Sequence, residues 1–267
     1  MAISCRKENI QDGLQRLNYI LRAHFEWLDT IGMVYNPTKT EFITFGNTEG
    51  INLQLDVMGV KVPCSKTIKI LGITFQSNLR WESLIKNTLN SANSLMYAFR
   101  YLNNKLTRPQ FRQIIHAHYI SKIAYAMPVW GRSINQKMVD RLNSSIFKML
   151  RLYCFDFNRE LHRADLVRTA NIRTFPSMRI ISDCKMLHKL CQAGEPPYIS
   201  ERLRKLSYKL SRYPGRLFFH SAGNKHGKKC FINRAKFTSE LMQFQWMTLS
   251  ESALKQKINN ITPRFIL

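Results

Sequence analysis

The chain has 267 residues, 45% of them hydrophobic, and this apolar content excludes a wholly disordered polymer. No window holds the 18 or more nearly uncharged apolar residues that a membrane helix needs, since the best one, 114–130, contains two His and one Lys. The first ten residues lack the apolar centre of a signal peptide. We therefore expect an intracellular chain without a membrane partner, in the nucleus or the cytoplasm.

The charge is strongly positive and unevenly distributed. There are 41 Lys and Arg against 17 Asp and Glu, a formal net charge of +24. No acidic residue lies between Glu82 and Asp140 or between Glu201 and Glu240, whereas the first 82 residues are nearly balanced. Such an excess repels itself unless a polyanion neutralises it, and nucleic acid is the usual polyanion. The composition therefore predicts RNA or DNA as a partner.

The first third of the chain predicts one helix followed by short strands. Apolar residues at three- and four-residue spacing indicate a helix over 9–31, which Gly32 would end in the left-handed conformation. A turn is predicted at 36–38, around Pro37. The predicted strands are 40–45, the pair 53–58 and 60–62 joined through Gly59, and 68–75, broken at Gly72.

From Trp81 onward the period becomes helical. Helices predicted over 81–102, 109–130 and 135–153 would form a three-helix bundle, because each has one apolar face to bury. Further along, helices are predicted at 163–170, 177–193 and 199–210, a loop at 212–229, and mostly helix at 236–258. The expected fold class is α+β, mostly α.

A spaced series of short motifs resembles one enzyme family. The positions that carry the resemblance are Gly32, Asn36, Lys39, Thr40, Leu71, Gly72, Leu79 and Trp81. A later run, Tyr-Ala-Met-Pro-Val-Trp-Gly at 125–131, belongs to the same series. The series is similar to the C-terminal part of the reverse transcriptases of non-LTR retrotransposons, of the jockey or chicken-repeat type.

The resemblance implies a partial palm followed by a helical thumb. Residues 1–78 would be the C-terminal part of the palm with its primer-grip hairpin, and 79–155 the helical thumb bundle. Residues 156–267 would be a helical, basic C-terminal extension. The partners implied are RNA and DNA as a template–primer duplex, and a portion that supplies the missing palm and fingers.

The family's catalytic carboxylates have no counterpart here. Phosphoryl transfer in these enzymes uses two metal ions held by converging carboxylates. No two acidic residues are adjacent in this sequence. We therefore expect this RNA-directed DNA polymerase fragment to be catalytically inactive alone, with no cofactor of its own, Mg²⁺ being expected only in a complete polymerase.

The resemblance and the charge together predict site residues. In a complete enzyme Lys39 would act near the nucleotide as a motif D general acid, and Leu71 and Gly72 would form the primer grip. Phosphate contacts are predicted at Arg100, Lys105, Arg108, Arg112, Arg212, Lys228 and Lys229. Each of these side chains has the alternative interpretation of an ordinary solvated charge.

Two other classes of protein fit the same composition. One is a basic nucleic-acid-binding protein without polymerase ancestry, and the other is a helical scaffold that binds acidic proteins. Cys184, His188 and Cys191 share one helix face, but the apolar residues around them favour core packing over zinc. No metal site is therefore predicted.

Overall fold

A computed structural model describes residues 7–46, 52–194, 196–201, 249–250, 252–254 and 256–257. Most of these residues are helical, and two small antiparallel sheets complete the structure, so the expected mostly-α, α+β class is confirmed. The chain divides into two compact units, Met1–Leu84 and Ile85–Leu267, here unit one and unit two. The domain boundaries near residues 78 and 155 stay predictions.

The described part of unit one begins with a 3-10 helix, Lys7–Asn9, which leads into the predicted helix. Helix α1 spans Ile10–Thr30, and Gly32 follows it with φ of 70°, the left-handed conformation expected there. The predicted turn is present, because the Asn36 side chain accepts a hydrogen bond from the Thr38 backbone N–H at 3.0 Å. A short 3-10 helix, Pro37–Lys39, follows directly.

Two hairpins follow the turn. Strand β1 (Gln54–Val57) pairs with β2 (Val60–Pro63), as predicted, and β3 (Thr67–Ile70) pairs with β4 (Ile73–Gln76). Both turns consist of an apolar residue and a glycine at positive φ, Met58–Gly59 and Leu71–Gly72. The prediction of one broken strand over 68–75 was therefore wrong, because the chain reverses at Leu71–Gly72.

The strand predicted over 40–45 was also wrong. Only an isolated bridge joins Phe42 to Cys64, and the Ser65 N–H donates to the Phe42 carbonyl at 2.7 Å. The alternation in this segment reflects burial of Phe42 in the core of unit one, where only 7% of it is exposed. Residues typical of strands favour a half-buried position, but they form a strand only where a neighbouring strand is present to pair with. The rest of that core is Leu21, Leu53, Leu55, Val57 and Val62.

The described part of unit two consists of helices and the loops that join them. Helix α2 (Glu82–Asn103) starts in the last residues of unit one, and most of it belongs to unit two. The others are α3 (Arg108–Ile114), a π-helical turn (Ile115–Ile120), α4 (Ser121–Ala124), α5 (Met127–Trp130), α6 (Gln136–Cys154), α7 (Arg163–Ala170) and α8 (Phe175–Ala193). The helices predicted at 81–102, 135–153, 163–170 and 177–193 are thus confirmed.

The single helix predicted over 109–130 is interrupted twice. Its middle widens into the π-helical turn, and the chain then breaks at Tyr125 and Ala126, where Ala126 has a φ of 49°. Proline lacks an N–H and clashes with the carbonyl four residues earlier, so Pro128 fits only in the first turn of a new helix. The Trp130 indole N–H donates to the Tyr125 carbonyl at 2.9 Å.

Aromatic side chains dominate the core of unit two. Phe111 is fully buried and packs between Phe99 and Tyr153, with ring centroids 6.0 Å away in both cases. Trp130 stacks on Phe175 of α8 at 5.9 Å. Helix α2 contacts α3 through Phe99 and α6 through Asn93 and Asn103, and α3 packs on α6, as the predicted bundle would. Helices α7 and α8 also pack against α6.

Several predicted elements lie outside the described residues. They are most of the helix at 199–210, all of the loop at 212–229, and most of the helical stretch at 236–258. No helix in the described part is long and apolar enough to cross a membrane.

Candidate nucleic-acid interface

One face of α2 carries exposed polar, basic and aromatic side chains. Its members recur every three or four residues, so they lie along one side of the helix. They are Lys86, Asn90, Asn93, Tyr97 and Arg100, here called the α2 stripe. The helix contains one carboxylate, Glu82, in its first turn. The stripe is therefore a positively charged surface with one exposed aromatic ring.

Helix α6 contributes a second polar face. Arg141, Ser144, Ser145 and Lys148 also recur at helical spacing, and we call them the α6 stripe. This stripe, together with Asn90 and Asn93 of α2, lines a groove of about 340 Å³. The amides of Asn90 and Asn93 and the hydroxyl of Ser144 can donate to oxygens of the kind that a nucleic-acid backbone carries.

A carboxylate also lines this groove. Asp140 accepts a hydrogen bond from the Gln136 side chain at 2.8 Å. Among the groove-lining residues that the structure describes, the two basic side chains Arg141 and Lys148 outnumber it. The groove therefore keeps a net positive charge.

Two hydrogen bonds in series connect Tyr119, Ser145 and Asn93 in the middle of the groove, and we call them the relay. The buried Tyr119 hydroxyl lies 2.7 Å from Ser145 Oγ, and Ser145 Oγ donates to Asn93 Oδ1 at 2.7 Å. Burial raises the pKa of Tyr119 to about 12, so its hydroxyl stays protonated across the physiological range. The relay joins the π-helical turn, α6 and α2 through side chains 26 and 52 residues apart in sequence.

Two predicted phosphate contacts lie at the end of α2. Arg100 belongs to the α2 stripe and is exposed. Lys105 is exposed just beyond the helix, and its Nζ lies 5.8 Å from the centre of the Tyr101 ring, itself 70% exposed. The structure thus places Arg100, Tyr101 and Lys105 near one helix end, as a basic and aromatic group.

Arg108, also predicted as a phosphate contact, makes internal contacts. Its Nη1 donates to Asn103 Oδ1 at 2.9 Å and to the Tyr153 carbonyl at 2.5 Å. Its guanidinium carbon lies 4.1 Å from the centre of the Phe155 ring. These contacts stabilise the C-terminal end of α6. Arg108 therefore has a structural role that is not visible in the sequence.

Arg112 is part of a separate basic cluster with His116 and Arg173. Partial burial, then the charges of Arg112 and Arg173, lower the pKa of His116. Burial likewise lowers the pKa of Arg173. The lowered pKa favours the neutral form of the His116 imidazole. Arg112 stays a predicted phosphate contact, away from the α2–α6 groove in sequence.

The predicted polymerase residues of unit one lie on turns. Lys39 is exposed at the end of the 3-10 helix, beside a hydrogen bond of 2.6 Å between the Tyr35 hydroxyl and Thr40 Oγ1. Leu71 and Gly72 form the tip of the second hairpin, and Leu71 is 84% exposed at φ of 48°. A leucine in the left-handed region costs conformational energy that asparagine or glycine avoids.

Unit one also contains a hollow of about 820 Å³ beside α1. Asp56 and Lys61 line it as an ion pair with 2.6 Å between Oδ2 and Nζ. The hydrogen bond from Lys61, followed by one from the Gly59 N–H, lowers the pKa of Asp56. Charges of both signs line this hollow, including Glu26 and Arg22, so it lacks the positive potential that a phosphate site needs.

Two of the residues that raised the question of zinc, Cys184 and His188, are buried. Cys184 is 1% exposed, and burial raises the pKa of its thiol to about 12. His188 lies 2.9 Å from the Leu249 carbonyl through its Nε2. No group of three His, Cys, Asp or Glu side chains able to hold a metal occurs within the described ranges. The absence of a cofactor stays a prediction.

Three predicted contacts, Arg212, Lys228 and Lys229, lie outside the described residues. Asn90, Asn93, Arg141 and Lys148, by contrast, line the groove without having been predicted. A helical-spacing test applied to polar residues, as well as to apolar ones, identifies both stripes in the sequence.

Comparison of the chain with protein-family models, with curated proteins and with solved structures found no match.

Proposed function

We propose that this chain binds the backbone of duplex nucleic acid through the α2–α6 groove and the α2 stripe. The observation that carries the proposal is the groove itself, which is lined by the amides of Asn90 and Asn93, the Ser144 hydroxyl and the cations Arg141 and Lys148. Such groups contact phosphate and sugar oxygens without reading base sequence. The surrounding stretch from 83 to 139 contains no acidic residue, which extends the positive field beyond the groove.

We further propose that the chain is the C-terminal part of a non-LTR retrotransposon reverse transcriptase. Support comes from the order of elements, in which α1, the turn at Asn36 and a hairpin tipped by Leu71–Gly72 precede a run of helices. In that enzyme Lys39 serves as the general acid of motif D and the Leu71–Gly72 turn grips the primer. The chain alone is catalytically inactive, because its sequence lacks the paired aspartates that hold the two metal ions.

Salt-titrated binding tests the first proposal. A labelled 20-base-pair RNA–DNA duplex is bound by the wild type and by the R141Q/K148Q variant. We expect the double variant to lower the slope of log K against log salt by about 1.8, about 0.9 for each lost phosphate contact. The matched control is K185Q/K189Q, which removes the same charge from exposed positions on α8. An equal loss in both variants would show non-specific attraction instead of a groove.

A competition experiment separates nucleic acid from acidic proteins. Polyglutamate carries negative charge but no phosphate, so a scaffold for acidic proteins would release the duplex to it at equal charge concentration. We expect the duplex to remain bound in excess polyglutamate, because a stiff duplex loses less conformational entropy on binding than the flexible polypeptide does. Release by polyglutamate would favour the scaffold function.

Primer extension tests the ancestry proposal. The full chain is incubated with an RNA template, a DNA primer, nucleotides and Mg²⁺ or Mn²⁺. We expect no extension by the chain alone. Extension that depends on the chain would contradict the proposal, since metal-binding carboxylates would then have to exist within it.

A further inference from the structure

The relay in the groove has a direction. A serine hydroxyl carries one proton, and Ser145 gives that proton to Asn93 Oδ1 at 2.7 Å. The Tyr119 hydroxyl, 2.7 Å from Ser145 Oγ, must then be the donor in their hydrogen bond. Tyr119 is fully buried and Ser145 is 5% exposed, so an unpaired proton at either site would carry a desolvation cost.

This direction determines which atom of Asn93 is available to a ligand. Its Oδ1 is used by Ser145, while the side chain is exposed and lines the groove. The two protons of Nδ2 are thus the part of the amide that remains for a partner. A flipped amide would instead present oxygen, which repels a phosphate.

The position of the amide matches the cations of α6. Ser145 lies between Arg141 and Lys148 along the helix, so Asn93 meets α6 between those two side chains. Arg141 and Lys148 are seven residues apart, about 10 Å along the helix axis. That distance exceeds the spacing of about 3.4 Å of duplex axis per phosphate on one strand, so the two side chains can contact separate phosphates.

We propose that Tyr119 and Ser145 are positioning residues, which turn Asn93 so that its Nδ2 donates to a backbone oxygen of nucleic acid between the phosphates bound by Arg141 and Lys148. The inference rests on the proposed function of the groove. It adds a neutral donor to the interface and connects that donor to the buried π-helical turn, where Tyr119 lies.

Binding of the 20-base-pair RNA–DNA duplex by full-length variants tests the inference. Asn93→Asp has the same shape but replaces the two donors with a charged acceptor, so we expect at least about tenfold weaker binding. Tyr119→Phe frees Ser145 to accept a proton from Asn93, so the amide spends part of its time reversed. We expect about two- to fivefold weaker binding of this variant, and the same for Ser145→Ala.

A double-mutant cycle separates positioning from packing. In an Asn93→Ala background, Tyr119→Phe should have no further effect on duplex binding, because the group that it positions is gone. An equal loss in both backgrounds would overturn the inference, since Tyr119 would then act through the stability of the helix. Should Tyr119→Phe fail to fold, Ser145→Ala in the two backgrounds answers the same question.

The failure of the inference and that of the proposed function are distinguishable. Wild-type binding of Asn93→Asp, with weakened binding of R141Q/K148Q, would overturn the role of Asn93 and leave the groove as the interface. Wild-type binding by R141Q/K148Q would overturn the groove and the inference with it. Inorganic phosphate at millimolar concentration should not displace the duplex, and displacement would show a site for single phosphates.

Discussion

The two units differ in what fills their cores. Unit two encloses Trp130, Phe111 and Phe175, each at most 1% exposed. The core cluster of unit one consists of aliphatic side chains and Phe42. Both units leave some apolar side chains exposed, such as Val34 at 97% in unit one and Phe157 at 63% in unit two. Because each buried aromatic ring removes a large apolar area from water, single residues contribute more to the core of unit two.

The two units also differ in charge. The first 82 residues contain eight acidic and nine basic residues, and the remaining residues contain nine acidic and 32 basic ones. The positive charge thus belongs to the unit with the aromatic core. That core fixes the helices α2 and α6, and a fixed backbone loses less entropy when a polyanion binds to its side chains.

The largest expected effect is in the core of unit two. Phe111→Ala removes a fully buried ring that packs between Phe99 and Tyr153, so we expect a loss of about 3–5 kcal/mol in the free energy of unfolding. Urea denaturation followed by tryptophan fluorescence measures it. Tyr97→Ala, at an 83% exposed position on α2, should change stability by less than about 0.5 kcal/mol. Similar losses in both variants would contradict a close-packed unit two.

A smaller effect is expected in the core of unit one. Leu55 is 3% exposed, and Leu55→Ala should cost about 2 kcal/mol, at the low end of such losses because a small core collapses more easily around a cavity. Hydrogen exchange by mass spectrometry should show faster exchange in peptides from residues 10–76 and little change from residues 108–193. Equal acceleration along the whole chain would mean that the units unfold as one.

A substitution at the second hairpin turn should raise stability and lower duplex binding. Leu71→Asn places a residue that tolerates the left-handed region at φ of 48°, so we expect a gain of about 0.5–1 kcal/mol. If Leu71 contacts the primer strand, duplex binding should fall at the same time. Met58→Asn is the matched control, since Met58 occupies the same position in the first hairpin turn at φ of 52°. Equal duplex binding by the two variants would argue against the primer grip.

The exposed apolar surface of unit one should affect association more than stability. Val34→Ser changes a side chain that is 97% exposed, so the free energy of unfolding should shift by less than about 0.5 kcal/mol. Sedimentation velocity at rising protein concentration should show less self-association than in the wild type. Unchanged self-association would place the responsible apolar surface elsewhere in the chain.

The smallest effect concerns pH. Partial burial and two neighbouring arginines lower the folded-state pKa of His116, so the unfolded chain binds its proton more readily. The histidine therefore costs no stability above its ordinary pKa of about 6.5, and destabilises the fold as the pH falls through that value. Urea midpoints at pH 7.5 and 5.5 measure this. The midpoint of His116→Gln should fall less between those pH values than that of the wild type.

Local patterns predicted much of the fold. The apolar periods of α1, α6 and α7 are each sufficient to place a helix, and Gly32 ends the first one as its conformational freedom suggests. The same reasoning failed at 40–45. Alternation of apolar and polar residues indicates which side chains are buried, but it does not show whether another strand pairs with the segment. It also failed at Ala126, where Pro128 two residues later ends the preceding helix.

The candidate site was harder to predict, because its contacts join distant parts of the chain. Asn93 and Ser145 are 52 residues apart, and no local pattern pairs them. Arg108 looked like other basic residues in the sequence, although its partners are carbonyl and aromatic groups around Tyr153. The exposure of Arg100 could be predicted, because a charged residue on the polar face of an amphipathic helix lies at the surface, while its phosphate contact stays a prediction.

The end of α6 is completed by residues that precede it by more than forty positions. Asn103 Nδ2 donates to the Leu152 carbonyl at 2.8 Å, and Arg108 donates to that of Tyr153. Carbonyls in the last turn of a helix have no partner within the helix itself. During folding, the first turns of α6 can therefore form from local interactions. Its last turn is completed only after the connection between α2 and α3, which contains Asn103 and Arg108, has packed against it. Closing that long loop delays the final turn, so α6 should become protected from its N-terminal end toward its C-terminal end.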